Sequence, residues 1–96
     1  MAVYLAEHTH PAERCPAKNP PMAQGLLGIV SPDNARRNGI TIHGEAVANG
    51  KHHLYLIVEG PSEEAVLAYF APFRGAGSLT VSAASSCEEV VHRGAC

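Results

Sequence analysis

Histidine and cysteine carry most of the chemistry available to this chain, with six of the first and three of the second among 96 residues. His8 and His10 are two residues apart, so on a strand both imidazoles share one face, and Cys15 follows in the segment beyond. Imidazole nitrogen and thiolate sulfur suit zinc, copper or nickel, whereas calcium or magnesium would require a cage of carboxylate and carbonyl oxygens. His52 and His53 supply a second imidazole pair. Adjacent strand residues point to opposite faces, so only one of them can join His8 and His10, and strand register does not follow from one sequence. The expected metal ligands are His8, His10, Cys15 and His53. If Asn49-Gly50 forms a two-residue turn, His43 faces Leu56 and shares a side with His52, which leaves it outside that set.

The same residues admit other readings. Cys15-Pro16 is the dipeptide of haem-responsive regulatory motifs, in which a thiolate ligates iron and a nearby histidine takes the other axial place, so haem is the weaker alternative cofactor. Cys15 beside His8 or His10 could also form a thiolate–imidazolium pair oriented by Glu7 or Glu13, which keeps an enzyme open as a class. Nothing in the spacing separates that pair from metal ligation, and no catalytic residue is assigned. A strand-end histidine taken singly is most simply a solvated side chain; convergence of several at one sheet end is what favours a metal. A further group, Cys87, His92 and Cys96, could wrap an ion from the end of the chain. Terminal residues fray, however, Cys87 suits a small buried apolar position, and Cys87 could pair with Cys96.

These side chains need elements to hold them. Residues 2–8 are apolar and β-rich, and His8-Thr9-His10-Pro11 ends the run because proline cannot donate to a ladder. Pro11, Pro16, Pro20 and Pro21 punctuate a loop longer than usual. Asn19 can cap a helix that opens with Pro20 and Pro21 and carries Met22, Leu26, Ile29 and Val30 along one stripe. Gly25 and Gly28 within it suggest close packing against a sheet. Ser31-Pro32 starts another helical turn that Asn38-Gly39 can close. Ile40 to Val47 and His52 to Glu59 flank Asn49-Gly50, the dipeptide of type I′ turns, and read as a hairpin. Ser62 caps a second main helix ending near Ala71, Gly75-Ala76-Gly77 reads as a loop, and Leu79 to Ala83 alternates as a last strand. Ser86 with Glu89, and then Gly94, delimit a short terminal helix.

This order, βαββαβ, predicts one α+β domain over residues 1–96, a ferredoxin-like four-stranded antiparallel sheet with helices on one face. Strands one and three are then antiparallel neighbours, which brings the end of the first beside His52 and His53. The terminal cysteines fall at the other end of the sheet.

The stretch His52-His53-Leu54-Tyr55-Leu56-Ile57-Val58-Glu59-Gly60, with Ser62-Glu63-Glu64-Ala65-Val66, resembles the third strand and second helix of the dimeric α/β-barrel superfamily. It is also similar to small uncharacterised ferredoxin-like proteins grouped with nickel-binding members. The resemblance covers about half the chain, and Glu7-His8-Thr9-His10-Pro11 adds a histidine-rich strand end of the kind such proteins sometimes share. It implies a homodimer built by packing open sheet faces, with a metal ion or small ligand between the sheets or at their rim. The superfamily includes monooxygenases, haem-degrading enzymes and isomerases, so the fold does not choose a function.

Composition narrows the partners. A hydrophobic fraction of 46%, 17% charged residues and a net charge of −2 describe a globular chain and not a disordered one. No basic cluster exceeds Arg36-Arg37, which argues against nucleic acid. The longest apolar runs, such as Leu54 to Val58, are far shorter than the ~20 residues that cross a bilayer. Met1 to Glu7 has no basic segment and no long apolar run, so it does not read as a signal peptide, and a cytoplasmic location is expected. A reducing compartment would keep the cysteines as thiols, and no glycine-rich phosphate loop is present.

Overall fold

Predominantly apolar segments form four strands, β1 (Ala2–Thr9), β2 (Thr41–Val47), β3 (His53–Gly60) and β4 (Ser78–Ala84), in the computed structural model, which describes residues 1–96. They pair antiparallel in the order β2-β3-β1-β4. The central pair runs from Ala2 opposite Gly60 to Thr9 opposite His53, and β4 lies along the other edge of β1 from Val3–Ala84 to Thr9–Ser78. The end of β1 therefore meets the start of β3, as the expected order requires.

Five helices complete the chain: α1 (Pro20–Ile29), α2 (Pro32–Arg37), α3 (Glu63–Tyr69), α4 (Pro72–Ala76) and α5 (Cys87–Arg93). Side-chain caps start four of them. Asn19 Oδ1 accepts from the Met22 N–H, Ser31 Oγ from Asn34, Ser62 Oγ from Ala65 and Ser86 Oγ from Glu89. Each such cap typically contributes about 0.5–2 kcal/mol. Gly94, at φ 73°, closes α5 in the left-handed conformation expected of a terminal glycine.

Even-numbered residues of β1 and β3 face inward. Tyr4, Ala6, Leu54, Leu56 and Val58 join Leu79 of β4 and meet Ala35, Ile40, Val66, Phe70 and Phe73 in the core. Helix α1 contributes the half-buried Leu26 and Ile29 but no fully buried residue. Its attachment is partly polar: the Tyr69 hydroxyl donates to the Ile29 carbonyl (2.6 Å) and accepts from Asn34 Nδ2 (3.2 Å), joining α1, α2 and α3. No helix is long and apolar enough to cross a membrane.

Four local expectations are corrected. Segment 72–76 is helical where a loop was expected to begin at Gly75, because Pro72 suits a first helical turn and Phe73 anchors that turn in the core. An added Cβ at Gly25 or Gly28 would meet nothing within 4 Å, so neither glycine marks close packing. The connection between β2 and β3 is not a two-residue type I′ turn. Gly50 has φ 75°, but Asn49 does not have positive φ, and a longer turn is closed by the Lys51 N–H donating to Ala48 O (3.0 Å). Finally, a bulge between Ile42 and Gly44 shifts the register so that Glu45, and not His43, lies opposite Leu56.

One glycine does control a close approach. At Gly77, between α4 and β4, a Cβ would overlap the Thr9 carbonyl oxygen and lie 3.0 Å from the His10 Cα. The bare backbone there lets β4 start directly against the end of β1.

Candidate metal centre

The inward parity of β1 runs Tyr4, Ala6, His8, and it carries a histidine into the core. His8 is 2% exposed, and its ring stacks on Phe73 with centroids 4.6 Å apart and planes 22° apart. Its Nδ1 lies 2.8 Å from the Ser78 carbonyl oxygen, which can only accept, so Nδ1 carries a proton. Burial holds His8 below the ordinary histidine pKa; the Ser78 bond opposes this shift and the charge of His53 adds to it.

His10 lies one step beyond the strand but still follows the ladder, its N–H donating to His52 O at 3.2 Å. Pairing His10 with His52 puts both rings on the inner face. His10 Nδ1 is 3.2 Å from His8 Nε2, and His10 Nε2 is 3.2 Å from His52 Nδ1. Partial burial lowers the His10 pKa, with the neighbouring His8 and His52 adding smaller effects in the same direction. Both shifts favour the neutral imidazole, the form that binds metal.

Cys15 reaches the same place from the loop. It joins two single 3₁₀ turns, 12–14 and 16–18, with its N–H donating to Ala12 O (3.3 Å) and its carbonyl accepting from Lys18 (3.2 Å). Buried Pro16 secures the following turn. One ring nitrogen each from His10 and His52, together with Cys15 Sγ, lie within 4.8 Å of one another. In a tetrahedral site with metal–nitrogen bonds of about 2.0–2.1 Å and a metal–sulfur bond of about 2.3 Å, donors stand about 3.3–3.6 Å apart. The His10 Nε2–His52 Nδ1 separation of 3.2 Å is close to that spacing, and Cys15 Sγ lies within 4.8 Å of a ring nitrogen of each histidine.

These three residues line a cleft of about 380 Å³ with Leu26, Val47 and Lys51 among its walls, and no carboxylate contributes to it. The donor set therefore fits a borderline or soft transition metal and not a hard cation.

No family model matches this chain, and no curated protein matches it.

The expected set of His8, His10, Cys15 and His53 is brought together only in part. His10 and Cys15 converge. His8 lies beneath them, with both ring nitrogens engaged by Ser78 and His10. His53 is on the opposite face, where its Nε2–H donates to Glu7 Oε1 at 3.2 Å and its ring stacks on Tyr55 with centroids 4.2 Å apart. The residue that joins the site is His52. Strand parity carried the signal, since His52 has the parity of Leu54, Leu56 and Val58, but the apolar Tyr55 and Ile57 at odd positions obscured it. His43 sits at the bulge and reaches Glu59 Oε1 at 2.9 Å, so it shares the outer side with His53 and not with His52.

The other arrangements are less well formed. Glu7 is committed to His53 on the outer face, so it does not orient His8 or His10 beside Cys15. Cys87 and Cys96 are exposed free thiols, and with His92 they do not converge into a ligand group.

Proposed function

We propose that this protein binds one zinc, copper or nickel ion through His10 Nε2, His52 Nδ1 and Cys15 Sγ, and that it sequesters, delivers or senses that metal. The observation that carries the proposal is the convergence of one ring nitrogen each from His10 and His52 with the Cys15 sulfur, from the ends of two neighbouring strands and an adjoining loop, in a cleft without a carboxylate. Three protein ligands leave a fourth position for water or an exchanging ligand, which suits transfer better than permanent structural storage. All three cysteines are free thiols, and a cytoplasmic setting would keep Cys15 in the state that ligates.

We read the sheet order β2-β3-β1-β4 as the ferredoxin-like arrangement, and the chain as a relative of the dimeric α/β-barrel superfamily. A homodimer follows from that reading. Supporting it, Tyr55 and Ile57 on the outer face are 41% and 51% exposed, beside the half-buried Val3 and Leu5. Packing two such faces together would cover them.

The test is titration of tag-free protein with each metal, with elemental analysis of the purified chain. About one equivalent bound with micromolar or tighter affinity is expected. No micromolar binding of any of the three ions would overturn the reading.

A further inference from the structure

We propose that His8 is a positioning residue for this metal centre, holding the His10 ring so that Nδ1 carries the proton and Nε2 presents its lone pair to the ion. The inference rests on the reading of His10, Cys15 and His52 as the metal ligands. It assigns a role to a buried polar side chain that the ligand set leaves out.

The direction of the hydrogen-bond chain is fixed at its inner end. Ser78 contributes a backbone carbonyl with no proton to give, so His8 Nδ1 must donate to it. His8 is buried against Phe73, and no carboxylate lies within 4 Å of it. An imidazolium there would be a buried charge without a counter-ion, which is costly, so the ring is neutral and Nε2 is an acceptor. The group facing Nε2 is His10 Nδ1, 3.2 Å away, which must then donate. In a neutral His10 ring the lone pair falls on Nε2, the atom 3.2 Å from His52 Nδ1.

The anchor of this chain is backbone held by the sheet. Ser78 pairs with Thr9, and their hydroxyls are also bonded at 2.7 Å. The bonds thus run from β4 across β1 to the residue preceding β3, fixing one tautomer and one ring orientation before any ion arrives. When the ion binds, it replaces the hydrogen between His10 Nε2 and His52 Nδ1. That proton moves to His52 Nε2, and the Cys15 thiol proton leaves to solvent. Removal of an outer partner of a ligating histidine typically lowers metal affinity about 10–100-fold.

Nitrogen-15 NMR of the metal-free wild-type protein reads the His10 tautomer directly, and the Nδ1–H form is expected to dominate. The variant His8→Phe keeps an aromatic ring against Phe73 but removes the acceptor. It should give mixed His10 tautomers and about 10–100-fold weaker zinc binding. The variant His8→Gln restores an acceptor at about the reach of Nε2, and should bring both readouts back to within a few-fold of wild type. A dominant Nε2–H form in the wild type would overturn the proposal even if His8→Phe does not fold. So would a folded His8→Phe protein with unchanged tautomer and unchanged zinc affinity. Absence of zinc, copper and nickel binding by the wild type, with the Nδ1–H tautomer intact, would instead fault the metal centre and leave the hydrogen-bond chain standing.

Discussion

His52 and His53 are consecutive residues at the start of one strand, yet they occupy opposite chemical settings. On the inner face His52 meets an imidazole and a thiol in a cleft without carboxylates. On the outer face His53 meets the carboxylate of Glu7 and the ring of Tyr55. Only the inner face brings two imidazoles and a thiol close enough together to share one ion; the outer face offers His53 a carboxylate and an aromatic ring. Strand alternation alone makes the division, and the composition of this segment does not reveal it.

The largest expected effect separates these two histidines directly. Replacing His52 by alanine removes a ligand, so zinc affinity should fall by more than about 100-fold, beyond the ~10–100-fold typical of outer-partner changes. Replacing His53 by alanine should change it by less than about threefold, since that ring points away from the cleft. Isothermal titration with zinc measures both. Equal losses in the two variants would break the comparison.

Next in size is Gly77→Ala, which acts where the inner site is assembled. The added methyl would overlap Thr9 O and crowd the His10 Cα, so the end of β1 must shift. Such overpacking commonly costs about 1–3 kcal/mol, or several degrees in Tm for a domain of this size. Thermal unfolding should show that loss, and zinc binding should weaken with it because His10 moves. An unchanged Tm would mean that the strand end yields freely and does not hold His10 in place.

Much of this organisation was legible from local chemistry. An apolar β-rich run marked β1, the segments flanking Asn49-Gly50 marked β2 and β3, alternation marked β4, Asn19, Ser31, Ser62 and Ser86 marked helix starts, and the antiparallel adjacency of β1 and β3 brought His10 to the histidine pair. The failures share a cause, namely that register is a tertiary property. Tyr55 and Ile57 gave the outer parity of β3 as apolar a pattern as the inner one, which favoured His53 as readily as His52. The bulge at His43 and the longer turn around Gly50 arise from how β2 and β3 fit together. The role of His8 was hidden for a similar reason, because its partner Ser78 is 70 residues away in sequence.

A third comparison uses pH. The folded-state pKa values of His8 and His10 are lowered, chiefly by burial, while an unfolded histidine titrates near pH 6.5. Below about pH 6.5 the unfolded chain takes up protons that the folded chain resists, so these two residues make stability fall as pH falls through their depressed values. Above that pH their contribution is fully present. Urea midpoints for metal-free protein should therefore decrease between pH 7.5 and pH 5, with a shallower decrease in His8→Phe. A wild-type midpoint that rises on acidification would contradict the burial of His8.

The smallest expected effect tests the outer face. The His53–Glu7 pair has side chains 29% and 32% exposed at a 3.2 Å separation, and pairs open to solvent contribute about 0–1 kcal/mol. Glu7→Gln preserves shape and one hydrogen-bond acceptor, so it should lower stability by less than about 1 kcal/mol and leave zinc affinity unchanged. Covered pairs behave differently: removing one partner of a desolvated pair commonly costs about 3–5 kcal/mol. A loss of that size, growing with protein concentration, would show the outer face to be buried against a second copy of the chain. A loss below 1 kcal/mol at every concentration would leave that face open to water, and the proposed homodimer would then need another surface.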